Sequence, residues 1–314
     1  MATEFPRDQW AVILGGSSGF GLATAKKLAE HGLKICIVHR DRRGAMKNID
    51  PEFETIRKTG VELRTFNTDA VAAEARGEIL DELAKETGGE GKIRVLLHSI
   101  AFGNLKLIAP EKPANNDARA ALAVKLGISE DALAGAVDEL FDEGVAAMSG
   151  LATAPKYAES YMEEEDVART IHAMGTSMLS WTQDIMARGL FADDARIFGM
   201  TSEGNTVAWK GYAGVAAAKV ALESVSRSIA TELGPFGIRS NIIQAGVTDT
   251  PALRLIPGNA FLKAQAVSRN PMGRLTTPKD VAAVIYLLST DEAGWINGEV
   301  IRVDGGEHIS GATR

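Results

Sequence analysis

Tyr212 and Lys219 stand seven residues apart in the run Ser202 through Lys219, SEGNTVAWKGYAGVAAAK. Seven residues are about two turns of an α-helix, so both side chains can face one side of a single helix. A lysine ammonium beside a tyrosine hydroxyl favours the phenolate, and a group so tuned suits proton donation to an oxyanion. As a bare spacing the pair is weak, because tyrosine and lysine often share a helix face. It gains weight from Gly214, Ala216, Ala217 and Ala218, small residues that permit close packing, and from the strand expected just before it. Ser202, seventeen residues before Lys219, is either a hydrogen-bonding partner for a substrate or a cap for the segment.

A second constellation lies near the amino terminus. Gly15-Gly16-Ser17-Ser18-Gly19-Phe20-Gly21 sits where an apolar strand pattern turns into an amphipathic helix. Glycine there permits a tight turn and close approach of a pyrophosphate, and the positive end of the helix attracts it. A purely structural turn is the competing reading. At the end of the next strand the chain reads Val38-His39-Arg40-Asp41-Arg42-Arg43. An acid there would accept from a ribose 2′-hydroxyl, whereas Arg40 can pair with a 2′-phosphate. The order of charges favours NADP(H) and leaves NAD(H) open through Asp41. Asp69, just past the third strand, either accepts from the adenine amino group or caps a helix.

The elements that must position these residues follow from periodicity. Apolar runs of strand length alternate with helical patterns, which predicts βαβ units and a parallel sheet buried on both faces. Strands are expected near Trp10 to Leu14, Lys34 to His39, Glu62 to Asn67, Val95 to His98, Arg196 to Met200, Arg239 to Ile243 and Val300 to Val303. The first helix is expected from Phe20 to His31, stopped by Gly32, and another starts at Thr277-Pro278-Lys279-Asp280 with a hydroxyl cap and a proline in its first turn. A long helix is placed at Glu163 to Arg188. Before it, about sixty residues pass without a strand, too many for a bare loop. Helical spacing at Asn116 to Leu126 and Ser129 to Phe141 predicts a helical insertion over 105–162 within a single 1–314 domain. Its place at the carboxyl end of a central strand puts it beside the ligand crevice of such a sheet, although a solvent-facing decoration or an oligomer contact would read the same.

With 314 residues, 45% hydrophobic and 24% charged, the chain has material for one large core and too little charge for disorder. Its 34 basic and 41 acidic residues give a net charge of −7, which disfavours nonspecific nucleic-acid binding. The start MATEFPRDQWAVILGG lacks the basic, continuously apolar pattern of a signal peptide, and no stretch approaches a membrane span. A soluble, cytoplasmic protein with no membrane partner is expected. The single cysteine, Cys36, allows no internal disulfide and reads as a buried structural thiol. The five histidines show no metal-ligand spacing, so no metal is expected.

Taken together, the glycine pattern, His98-Ser99-Ile100-Ala101-Phe102, the Tyr212/Lys219 helix, Asn241-Ile242-Ile243-Gln244-Ala245-Gly246 and Val303-Asp304-Gly305-Gly306 resemble short-chain dehydrogenases, specifically enoyl-[acyl-carrier-protein] reductases. The similarity covers nearly the whole chain except the insertion. It implies a Rossmann-type, doubly wound α/β sheet of about seven strands, an NAD(P)H cofactor, and reduction of the C2=C3 bond of a trans-2-enoyl thioester carried on acyl-carrier protein or coenzyme A, as in fatty-acid biosynthesis. Ketone reductases of the superfamily usually carry Tyr-x3-Lys, but Val215 stands four before Lys219; the spacing here is the enoyl reductases' Tyr-x6-Lys. The resemblance further implies that Ser99, Ile100 and Ala101 meet the cofactor and Phe102 the substrate. Gly246, Val247, Thr248 and Thr250 correspond to the segment at the nicotinamide amide, with Thr250 as its hydrogen-bonding residue, or to a structural turn. Pro251 to Val267 resembles the substrate-binding segment, with Leu253 and Ile256 on the acyl chain; an ordinary amphipathic helix has the same pattern. A homotetramer is the implied assembly.

Two departures stand out. Ser202 occupies the place where many enoyl reductases carry a second tyrosine, and the glycine loop has the ketone-reductase form. Reduction of a carbonyl, or oxidation of an alcohol, is therefore the alternative activity, and a catalytically silent dinucleotide-binding regulator is the alternative from another class.

Overall fold

Seven apolar runs become strands: β1 (Trp10–Leu14), β2 (Lys34–His39), β3 (Leu63–Asn67), β4 (Ile93–His98), β5 (Phe191–Ser202), β6 (Arg239–Ala245) and β7 (Val300–Val303). In the computed structural model, which describes residues 4–112 and 116–311, they form one parallel sheet in the order β3-β2-β1-β4-β5-β6-β7. β5 is longer than its apolar pattern: it starts at Phe191 and carries the polar pair Asp193-Asp194.

The helices are α1 (Gly19–Glu30), α2 (Met46–Arg57), α3 (Ala73–Glu86), α4 (Asp117–Leu126), α5 (Glu130–Asp142), α6 (Glu164–Ile171), α7 (Ser177–Ala187), α8 (Ala213–Leu233), α9 (Pro251–Arg254), α10 (Asn259–Arg269) and α11 (Pro278–Ser289). Side-chain alternation along the strands divides the core into two layers. Ala11, Ile13, Ile35 and Ile37 pack with Leu28 of α1, Phe53 of α2 and Ile285 of α11. Val12, Leu14, Cys36 and Val38 pack on the other face with Leu80 of α3, Trp181 of α7 and Leu222 of α8. Cys36 is a free, buried thiol, and burial pushes its pKa up.

The helix expected from Glu163 to Arg188 is interrupted by a π-turn at His172–Thr176. Ser177, just after it, donates from Oγ to the Ala173 carbonyl at 3.0 Å and pairs with His98 Nε2 at 2.8 Å. Gly175 in the turn lies so close to α8 that a Cβ there would be 2.8 Å from the Ala218 carbonyl oxygen. Thr277 and Asp280 form a capping box that starts α11, with Pro278 in its first turn.

Between β4 and α6, Asn116 caps α4 by accepting from Arg119 N, Gly127 turns the chain at φ 67°, and Ser129 caps α5. Residues 113–115 of the expected 105–162 insertion lie outside the described residues. Leu133, Val137 and Phe141 of α5 form a satellite core with Ala152 and with Ala264 of α10, and the Phe141 and Phe261 ring centroids are 4.7 Å apart. α5 thus packs onto α10, in the segment after β6. Phe141→Ala should cost about 3 kcal/mol locally and speed amide hydrogen exchange in both α5 and α10 while leaving the sheet protected. Exchange confined to α5 would refute the shared core.

Candidate active site

The strand order reverses between β1 and β4, and the crevice outside their carboxyl ends is where such a sheet takes ligands. Register brings the two strand ends level: Leu14 pairs with His98, and Ser99 N donates to the Leu14 carbonyl at 2.9 Å. Gly15 has φ 83°, and a Cβ on it would lie 2.5 Å from the Ser99 carbonyl oxygen. Gly21 is held as tightly, because its Cβ would meet the Gly15 carbonyl oxygen at 2.2 Å. Only glycine fits either place.

Two adjoining cavities fill the crevice. The outer, of about 390 Å³, is lined by Gly15, Ser17, Ser18, Gly19 and Phe20 at the start of α1, by Arg40 and Asp69, and by Ser99, Ile100 and Ala101. The inner, of about 220 Å³, contains Ser202, Tyr212 and Lys219 together with Gly246, Val247, Thr248, Leu253 and Ile256. Phe20, Ser99 through Ala101, and Thr250 border both. The first-turn amides of α1 and the glycine backbone supply the donors that a pyrophosphate needs, so the outer cavity fits a dinucleotide.

Phe102 does not border the inner cavity. It lies on the outer wall, where its ring stacks under the Arg40 guanidinium at 4.4 Å, because the chain turns outward after Ala101. Arg40 NH1 also donates to Asp69 Oδ2 at 2.7 Å, and Asp69 Oδ1 accepts from Val71 N. Asp69 therefore holds an arginine and caps the following turn. Asp41 pairs with His39 Nδ1 at 2.9 Å, so the acid beside Arg40 is engaged elsewhere. Thr250 Oγ1 accepts from Leu253 N and caps α9, while the Thr248 hydroxyl donates to the Gly246 carbonyl.

Tyr212 is the N-cap residue of α8 and Lys219 lies two turns in. The Tyr212 hydroxyl is 3.4 Å from Ser202 Oγ at the end of β5. Lys219 Nζ donates to the Met200 carbonyl at 2.7 Å and is 6% exposed. Burial pushes the Lys219 ammonium down to about 8, against the pull of Glu223, and pushes the Tyr212 phenol up, against the Ser202 hydrogen bond. Desolvation is the larger influence on the phenol in this arrangement and works against the phenolate that its spacing from Lys219 suggests. A protonated phenol is the form that donates. His98, buried behind Lys219, is lowered to about 3 by burial and by the lysine charge, and stays neutral.

Met174, Glu203, Trp209 and Glu307 also border the inner cavity. Met174 enters through the π-turn, which has no sequence signature. Glu307 reads in sequence as an ordinary acid beyond a Gly-Gly turn, yet it is 2% exposed and accepts from Val247 N at 3.2 Å. Among the described residues, no helix is long and apolar enough to cross a membrane, and no three His, Cys, Asp or Glu side chains gather to hold a metal.

Comparison with known proteins agrees with the geometry. The family model described as enoyl-(acyl carrier protein) reductase matches residues 129–308, and that described as short chain dehydrogenase matches residues 9–118. The chain is 25% identical to a cis-4-hydroxycyclohexanecarboxylate dehydrogenase of Sinomonas cyclohexanicum, across 94% of this chain and 95% of that one. It is 26% identical to a probable 2,4-dienoyl-CoA reductase of Bacillus subtilis, across 95% and 96%. A short chain dehydrogenase of Burkholderia cenocepacia, solved in complex with NADP, shares the fold with a TM-score of 0.68 at 22% identity, covering 96% of this chain and 98% of that one.

The depressed Lys219 pKa makes stability depend on pH in a defined sense. From pH 8 to about 10.5, the ordinary lysine value, the unfolded chain holds a proton that the folded chain has released, so stability rises with pH across that window. Urea titrations should show this rise in the wild type and lose it in Lys219→Met; parallel pH profiles would contradict the burial argument.

Proposed function

Because the chain belongs to the short-chain dehydrogenase/reductase superfamily, and so is an oxidoreductase using a nicotinamide dinucleotide, we propose that it reduces the C2=C3 double bond of a trans-2-enoyl thioester. The observation that carries this reading is the placing of Tyr212 on the inner cavity together with Lys219, with the apolar Val215 bordering the same cavity at the position four before Lys219. The dinucleotide, when bound, supplies a hydride. Gly15, Gly19 and the first turn of α1 would hold its pyrophosphate, and Lys219 its ribose.

Hydride addition at C3 would move the alkene electron pair through C2 onto the thioester oxygen, and C2 would then take a proton from solvent. Tyr212 would donate a hydrogen bond to that oxygen as charge develops, and the apolar wall of Met174, Leu253 and Ile256 would strengthen the bond by excluding water. The same wall suits an acyl chain on coenzyme A or a carrier protein. Arg40 would pair with a 2′-phosphate, which favours NADP(H): Asp69 keeps its guanidinium at the outer cavity and Asp41 is tied to His39. A second reading, carbonyl reduction or alcohol oxidation, draws support from the Ser202–Tyr212 pair, whose two hydroxyls at 3.4 Å can serve one carbonyl oxygen.

Oxidation of NADPH with crotonyl-CoA should exceed that with acetoacetyl-CoA; the reverse order would replace the first reading by the second. Tyr212→Phe should lower turnover on the order of 100-fold with the dinucleotide dissociation constant nearly unchanged. Arg40→Ala should weaken NADPH about tenfold and leave NADH unaffected, as read by fluorescence titration. Equal loss for both would remove the 2′-phosphate role.

A further inference from the structure

Arg269, the last residue of α10, pairs with two carboxylates that border the inner cavity. Its NH2 donates to Glu203 Oε1 at 2.7 Å and to Glu307 Oε1 at 3.2 Å. Each carboxylate belongs to a different part of the site. Glu203 follows Ser202, and the next residue, Gly204, lies so close beneath Tyr212 that a Cβ there would be 2.5 Å from the ring. Glu307 Oε2 accepts from Val247 N, in the turn that borders the cavity opposite Tyr212. One guanidinium therefore ties α10, the tyrosine loop and the Gly246–Thr250 turn together.

The bridge is costly to bury. Desolvation, with Glu203 and Asp304 nearby, pushes the Glu307 carboxyl up against the pull of Val247 N and Arg269; His308 Nδ1 stands 4.0 Å from Glu203 Oε2, and Arg269 Nε is buried without a hydrogen-bond partner. Ion pairs taken partly out of water in this way add little net stability over apolar packing. α10 also carries Leu262, which borders the cavity, and rests on the inserted helices through Phe261.

We propose that Arg269 is a positioning residue that couples acyl binding to seating of the dinucleotide. An acyl group pressing on α10 acts through Arg269 and Glu307 on the Val247 turn, and a nicotinamide resting on that turn acts back on α10 by the same route. Reciprocity follows from linkage: each ligand must tighten the other by the same factor. The proposal rests on the thioester reading above for its ligands, but the bridge can be tested without them.

Amide hydrogen exchange across residues 246–250 should accelerate at least fivefold in Arg269→Met, although the hydrogen bonds of the Arg269 guanidinium go to Glu203 and Glu307, with Arg269→Lys in between. Unchanged exchange there overturns the proposal. With ligands, saturating butyryl-CoA, which has no double bond to reduce, should tighten NADP⁺ at least fivefold in the wild type, and the factor should fall to near one in Arg269→Met. Equal factors in both also overturn it. Glu307→Gln keeps the side-chain shape and serves if Arg269→Met does not fold; it should show the same loss of coupling. A wild type that binds NADP⁺ but not butyryl-CoA would defeat the thioester reading alone, leaving hydrogen exchange to decide the role of Arg269.

Discussion

The site depends on an approach of backbone to backbone: Gly15 sits against the Ser99 carbonyl, with no space for a Cβ between them. That approach is possible because β1 and β4 are adjacent parallel strands in register to their last residues, Leu14 and His98. The chain then has to diverge, upward into α1 from β1 and outward past Phe102 from β4. The crevice is the space this divergence leaves, and both cavities depend on it. A side chain at position 15 would push the two strand ends apart and open the floor of the site.

Burial, more than charge pairing, sets the chemistry of the inner cavity. Tyr212, Lys219 and His98 are each displaced from their ordinary protonation behaviour by desolvation first and by neighbours second. The result is a neutral imidazole, a protonated phenol and an ammonium with a weakened hold on its proton. The π-turn belongs to the same scheme: its Ala173 carbonyl accepts from Ser177, whose hydroxyl pairs with His98, and its Met174 borders the cavity.

Outside the sheet, the apolar half of the site depends on elements that no strand holds. α10 leans on α5 through Phe141 and Phe261, and on the tyrosine loop and the carboxyl-terminal segment through Arg269. Apolar packing on one side of α10 and a buried ion bridge at its end therefore define the position of the wall that would meet an acyl chain. A helix held at both places can transmit force, which a solvent-facing decoration cannot.

Much of this could be read from residue order. The seven strands, the Gly127 break, the Ser129 and Thr277 caps and the glycine turn after β1 follow from local rules, because periodicity and capping depend on neighbours within a few residues. Tyr212 and Lys219 were legible for the same reason, being two turns apart on one helix. What the tertiary structure alone decided was the long-range environment: that Phe102 turns to Arg40, that Lys219 points to the Met200 carbonyl, that Glu307 is buried beneath Val247, and that a π-turn interrupts the helix before β5. Desolvation and ion bridges are set by residues far apart in the chain, from Glu203 to Glu307, and a linear pattern carries no record of which distant groups will exclude water from one another.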